Sequence, residues 1–308
     1  MSDALYRIEH ETRYVHASGV STSQHVAYLT PRTLPGQSVR WHGLAIEPAP
    51  ASRARRVDYF GNAVDQFTIL TPYDEMCVVG RSLVAVHATE PTLALDAGVP
   101  WEAVRDELLY HRGAPYDDAA EFSYPSPYIV TAPALAEYAR KSFAPGRPLV
   151  AAAIDLMHRI YSEFTFDSGA TTVATPVTLV LANRRGVCQD FAHLQIGCLR
   201  AIGLAARYVS GYLLTDPPPG QPRLVGADAS HAWLSVWCPK VGWVDLDPTN
   251  DVLPSHRHIT LAWGRDYGDV SPLRGVVLGG RAHTLHVGVS VTPATEDELR
   301  LTAMTDQS

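Results

Sequence analysis

The feature that most limits what this chain can fold into is a change of hydrophobic rhythm partway along it. In "YRIEHETRY", Tyr6, Ile8, His10, Thr12 and Tyr14 alternate with Arg7, Glu9, Glu11 and Arg13. A period of two puts the two sets on opposite faces of a strand. The stretches "SQHVAYL", "VRWHGLAIE", "RRVDYF", "AVDQFTIL" and "CVVGRSLVAVH" read as further short strands, and Gly61-Asn62 between two of them signals a hairpin. The spacing predicts an all-β, sandwich-like domain over residues 1–90.

Around Pro100 the rhythm becomes helical. "PWEAVRDELLYH" starts with a first-turn proline, and "TAPALAEYARKSF" has Thr131 as a candidate cap with Gly146 shortly beyond its end. "RPLVAAAIDLMHRIYSEF" repeats apolar residues at helical spacing. Thr175-Pro176 opens "PVTLVLANR", and Gly186 is expected to end it. A helix from Cys188 to about Ile202 carries Phe191, Leu194, Cys198, Leu199 and Ile202 on one stripe. Strands return with "ARYVSGYL", "SHAWLSVWC" and "GWVDLDPT", the last two joined by the turn "PKVG". A Pro-rich loop over 216–222 reads as a surface connection. Residues 91–275 thus form an α+β domain. Residues 276–308 hold one more alternating strand, "HTLHVGVSV", and a polar tail; the strand pattern suggests packing on the β domain.

Cys188 raises a chemical question. A lone cysteine is most often a packed thiol. At a helix start, however, free N–H groups and the positive dipole end favour a thiolate and a developing oxyanion. His231 opens one of the later strands and Asp247 ends the next. A hairpin between those strands brings the two together only with a staggered register. An imidazole in reach of the thiol takes its proton, and a carboxylate on the other ring nitrogen holds the imidazolium.

The motifs "GVCQDFAHL", "SHAWLSVW" and "GWVDLDPTN" resemble those of the transglutaminase-like superfamily, which shares its core with papain-like cysteine enzymes. The segments "PRTLPGQ" and "DYFGNAVDQF" resemble the N-terminal domain of bacterial members, and "AWGRDYGDVSPLRG" (262–275) is similar to a later part of that group. The resemblance implies helices packed on an antiparallel sheet, with the nucleophile on the central helix. It further implies Cys188 as nucleophile, His231 as base and acid, and Asp247 as the residue that orients His231. The expected activity is that of a cysteine protease or acyltransferase working on a peptide or protein amide through a thioester. Hydrolysis is favoured, with cross-linking transamidation or a non-catalytic scaffold role as alternatives.

Other residues receive plainer readings. Asp245 lies two positions from Asp247 and competes for its role, with bracing of the hairpin as its alternative. Asp190 reads as a first-turn acid, and Trp233 and Trp243 as core residues flanking the site. Cys77, Cys198 and Cys238 read as core thiols. Arg265, Asp266 and Asp269 read as surface or interdomain ion pairs. The thirteen histidines include His256, His258, His283 and His286 in close pairs, but no companion set has zinc-like spacing, so no metal is expected. No cofactor is implied, since no Gly-rich phosphate loop occurs.

A formal net charge of -7 argues against nucleic acid or an anionic membrane as main partner. The opening "MSDALYRIEHETRY" is too polar for a signal peptide, no segment has the length of a membrane span, and the cysteines are scattered. These features lead us to expect reduced thiols in the cytoplasm. The oligomeric state has no signature in the sequence.

Overall fold

The computed structural model describes residues 4–87, 98–110, 112–113, 116–215, 230–239 and 241–295. The Pro-rich loop at 216–222 and the polar tail after 295 lie outside the described residues. The first five strands are β1 (Ala4–Ala27), β2 (Gln37–Glu47), β3 (Ser52–Val57), β4 (Ala63–Ile69) and β5 (Tyr73–Val86). Next come α1 (Trp101–Leu108), a 3-10 turn (Asp118–Ser123), α2 (Pro133–Arg140), α3 (Leu149–Glu163), the short β6 (Thr165–Phe166) and α4 (Val177–Asn183). The middle of the chain is β7 (Arg185–Gly186), α5 (Cys188–Ala201), β8 (Ala206–Leu213), β9 (Ser230–Cys238), β10 (Gly242–Leu246) and β11 (His258–Gly264). It closes with α6 (Tyr267–Val270), β12 (Leu273–Gly279) and β13 (His283–Pro293).

"YRIEHETRY" and "SQHVAYL", read as separate strands, are the two halves of β1. The pairing with β5 slips between Val15 and Val20, and there the partners change. Residues up to His16 pair with β5 and β13, while Val20–Ala27 pairs with β12 and, from Ser23, with β4. The two halves enclose one apolar core, in which Val20, Phe67 and Ile69 meet Met76 and Val78. That is how a single long strand serves a sandwich-like fold.

The second sheet has the order β10-β9-β8-β11, and all its pairs are antiparallel. Ala232, Leu234, Val236 and Cys238 of β9 join the helical core. Alternation therefore sends His231, Trp233 and Ser235 to the other face. Against this sheet pack Tyr6, Ile8, Val84, Val86, Val289 and Val291 of the β-rich region, which meet Tyr212, Ile259 and Leu261.

The free edge of β11 is closed by side chains. The Gln37 amide accepts from Thr260 N and donates to Thr260 O, each at 2.8 Å. The Asn62 amide accepts from Trp263 N at 3.0 Å and donates to Trp263 O at 2.8 Å. Each side chain imitates a neighbouring strand.

Helix α5 is the centre of the α+β part. The sequence shows one apolar stripe, but the helix is buried on every side from Asp190 to Arg200. Helices α2, α3 and α4 contact it, as do β8 and β9. Gln195 Nε2 donates to Ala153 O at 2.9 Å, though its Oε1 has no partner among the described residues, and the Arg200 guanidinium is hydrogen-bonded on all its nitrogens.

Candidate active site

The chain enters α5 through a constrained turn. Gly186 does not end α4, contrary to expectation; Arg184 does, in the left-handed conformation with φ 56°. The arginine is held there by stacking over Tyr138 and Phe164 and by an ion pair to Glu163 at 3.0 Å. Gly186 serves a different need. A Cβ at that position would lie 2.8 Å from both Cβ and Oδ2 of Asp190. With no Cβ in the way, Asp190 reaches back, and its Oδ2 accepts from Val187 N at 2.8 Å and Thr171 Oγ1 at 2.6 Å. This is the acidic half of a capping box and fixes the first turn. Burial raises the Asp190 pKa against these two bonds.

Cys188 is the first helical residue, and Phe191 N is the first to bond back within α5, to Val187 O at 3.0 Å. The N–H groups of the opening turn therefore face outward beside the sulfur.

His231 reaches the same place from β9. Leu246 pairs with Leu234, which sets Asp247 diagonally from His231, the stagger the sequence requires. His231 Nε2 stands 2.7 Å from Asp247 Oδ2. The Cys188 side chain is close enough to His231 to raise its pKa. With Nε2 engaged by the carboxylate, Nδ1 is the nitrogen left for the sulfur. Burial works to lower the His231 pKa, but hydrogen bonding and charge from Asp247 and Cys188 outweigh it and raise the value to about 10. Burial likewise opposes ionisation of Asp247, yet its histidine partners hold the carboxyl well below the usual range. Cys188, His231 and Asp247 come together.

Asp247 is 0% exposed and fully engaged. Its Oδ1 accepts from Thr249 N at 3.0 Å, and its Oδ2 from Asn250 Nδ2 at 2.7 Å and His258 Nε2 at 3.1 Å. Because His258 Nδ1 accepts from Ser255 N at 3.3 Å, the ring carries its proton on Nε2 and donates it to the carboxylate. The sequence offers no sign of this role, since "HRH" reads only as a poor metal motif. Ligand atoms of His231, Asp247 and His258 do lie within 4.8 Å of one another, a spacing open to a metal ion. The fit is poor, because the oxygen at their centre also takes the Asn250 amide, a donor that cannot ligate through nitrogen.

Asp245 does not compete for His231. It accepts from Ser235 Oγ, one row away. Trp233 lies beside His231 and edge-on to His258, with ring centroids 6.1 and 5.3 Å away. Its indole occupies the space where a Gly211 side chain would be. Trp243 packs against Phe122 and Arg207. All four cysteines are free, with Cys198 and Cys238 buried. Asp266 is not a surface ion-pair partner: it is buried, caps α6 at Gly268 N (2.8 Å) and accepts from Tyr128 N (2.9 Å). Arg265 and Asp269 do form an ion pair, at 2.9 Å. His283 packs edge-on against Tyr14 and tilted against His16, far along β1.

Both parts of the chain match known families. Residues 136–248 match the transglutaminase-like superfamily, and residues 6–85 match the bacterial transglutaminase-like N-terminal region. The chain belongs to this superfamily. It is 45% identical over 302 residues to an uncharacterized protein of Mycobacterium tuberculosis (strain ATCC 25618 / H37Rv), covering 96% of this chain and 94% of that one. It is also 34% identical over 122 residues to a protein-glutamine gamma-glutamyltransferase of Pseudomonas aeruginosa, covering 39% of this chain and 18% of that one. Among solved structures, a candidate cysteine protease from Cytophaga hutchinsonii superposes with a TM-score of 0.71 at 19% identity, over 96% of this chain and 93% of that one. At that identity the likeness speaks to the fold.

Proposed function

We propose that this protein is a cysteine-dependent acyl-transfer enzyme that hydrolyses a peptide or related amide through a thioester. One observation carries the reading: Cys188, on the first turn of a buried helix, lies within reach of a histidine held 2.7 Å from a buried carboxylate. In the first step the Cys188 proton passes to His231 and the sulfur adds to the amide carbonyl carbon. N–H groups at the start of α5 stabilise the oxyanion. The C–N bond then breaks, the leaving amine or ammonia takes the proton from His231, and the thioester remains. In the second step His231 removes a proton from water, which attacks the thioester; the products are a carboxylic acid and the restored thiol.

An amine in place of water would transfer the acyl group instead. The Pseudomonas relative, named as a glutamyltransferase, favours keeping that second reading. We place the reaction in the cytoplasm, with the four thiols reduced.

A peptide library incubated with and without an added amine, and read by mass spectrometry, tests the proposal. Cleavage or loss of ammonia that disappears in Cys188→Ala supports hydrolysis, and an amine adduct supports transfer. A library left unchanged under both conditions refutes the enzymatic reading.

A further inference from the structure

Away from the sulfur, a cleft of about 500 Å³ opens between the β-rich region and the second sheet. Leu34 to Gln37 form one wall; Arg207, Trp243, Asp245 and Trp263 face them. Cys188 does not line this space. Trp233 and His258 do, so the cleft backs onto the far side of the His231–Asp247 pair.

The strand register explains the floor of the cleft. Arg207 pairs with Ser235, and Ser235 with Asp245, so the three form one row across β8, β9 and β10. The Ser235 hydroxyl accepts from Arg207 Nε at 3.3 Å and donates to Asp245 Oδ1. The two charges thus stand two hydrogen bonds apart, with no direct ion pair between them. Trp243 and Trp263 hold the guanidinium from both sides, with its carbon 4.3 and 3.7 Å from the ring centres.

Arg207 is under-partnered for a group so enclosed. Burial pulls its pKa down to about 9 despite Asp245. Arg200 shows what a structural arginine looks like in this protein: its nitrogens meet Phe122 O, Ser126 Oγ, Ala206 O and Arg265 O. Among the described residues, Arg207 has one neutral hydroxyl. A partly desolvated cation without a directly paired anion is costly, and such groups are ordinarily paired. Trp233 Nε1 is a buried donor without an acceptor among the described residues.

The vacant guanidinium edge suits a carboxylate, which it can bind through two parallel hydrogen bonds. A simple anion would be repelled by Asp245 next to it. An ammonium group one carbon from the carboxylate turns that repulsion into attraction. We propose that the cleft binds an α-amino-acid head group, with the carboxylate on Arg207 and the ammonium on Asp245. The N-terminal region then has a stated purpose, since Leu34–Gln37 closes the site. The proposal does not depend on Cys188.

Titration calorimetry of the full chain with the twenty free L-amino acids tests it, followed by N-acetyl and amide derivatives of any that binds. At least one amino acid is expected to bind with Kd below about 1 mM. Blocking either charge on the ligand, or substituting Arg207→Ala or Asp245→Asn, is expected to weaken binding by about tenfold or more. Asp245→Asn keeps the side-chain shape and carries the test if Arg207→Ala fails to fold. No binding at 10 mM by any of the twenty, unchanged affinity in Asp245→Asn, or equal affinity for the blocked derivatives overturns the proposal.

Discussion

At the scale of single residues, one raised and one lowered pKa tie the candidate site to pH. His231 has a folded value of about 10 against 6.5 free. Its contribution to stability is complete below 6.5 and is lost as pH rises towards 10. The Tm difference between wild type and His231→Gln should therefore shrink across that range. Asp247→Asn removes the charge that favours the imidazolium, so the alkaline limb of activity should move down by about 1–3 units. Iodoacetamide at pH 7 should modify Cys188 well before the other three thiols. His231→Ala, which removes the base that takes the thiol proton, should slow that reaction by on the order of tenfold or more. Equal, slow labelling of all four would favour a scaffold. His258 acts one step back, by donating to Asp247 at 3.1 Å. His258→Phe, which lacks the donor, should slow the labelling roughly fivefold, the value of about 1 kcal/mol for one hydrogen bond. His258→Gln, whose amide replaces Nε2–H, should recover most of it; a Gln variant as slow as Phe would assign His258 to packing alone.

At the scale of elements, Gly186→Ala probes how α5 begins. The added methyl meets Asp190 at 2.8 Å and should dislodge the cap. The expected loss is about 1–3 kcal/mol by urea unfolding, together with slower Cys188 labelling. Much of this element-level organisation is legible in the sequence. Period-two alternation marks β1, β4 and β5, and helical spacing marks α3 and α5. The three motifs that hold Cys188, His231 and Asp247 also carry the resemblance. Other details leave no trace because they depend on contacts distant in sequence. β1 is continuous because its irregularity near Val15 is filled by a change of partners, which no side chain announces. Arg184 adopts a positive φ because Tyr138, Phe164 and Glu163 anchor it. His258 looks idle until the fold brings Asp247 to it. "PRTLPGQ" and "DYFGNAVDQF" supply Gln37, Phe60 and Asn62, which grip Thr260 and Trp263. Motifs in both regions of the chain meet along one seam.

At the scale of the whole molecule, that seam makes the two regions depend on each other. A chain beginning at Val99 would lose Gln37 and Asn62 from the edge of β11 and expose Tyr212, Ile259 and Leu261. We expect it to aggregate, as measured by light scattering. A monodisperse fragment whose Cys188 labels as fast as in the full chain would show the regions to be separable. The same layout has a temporal consequence. The opening strand lies between β5, which follows it early, and β13, which comes last. A nascent chain on the ribosome therefore carries one half-paired edge until β13 has been made. Stalled chains that end before His283 should remain open to protease between Tyr6 and His16.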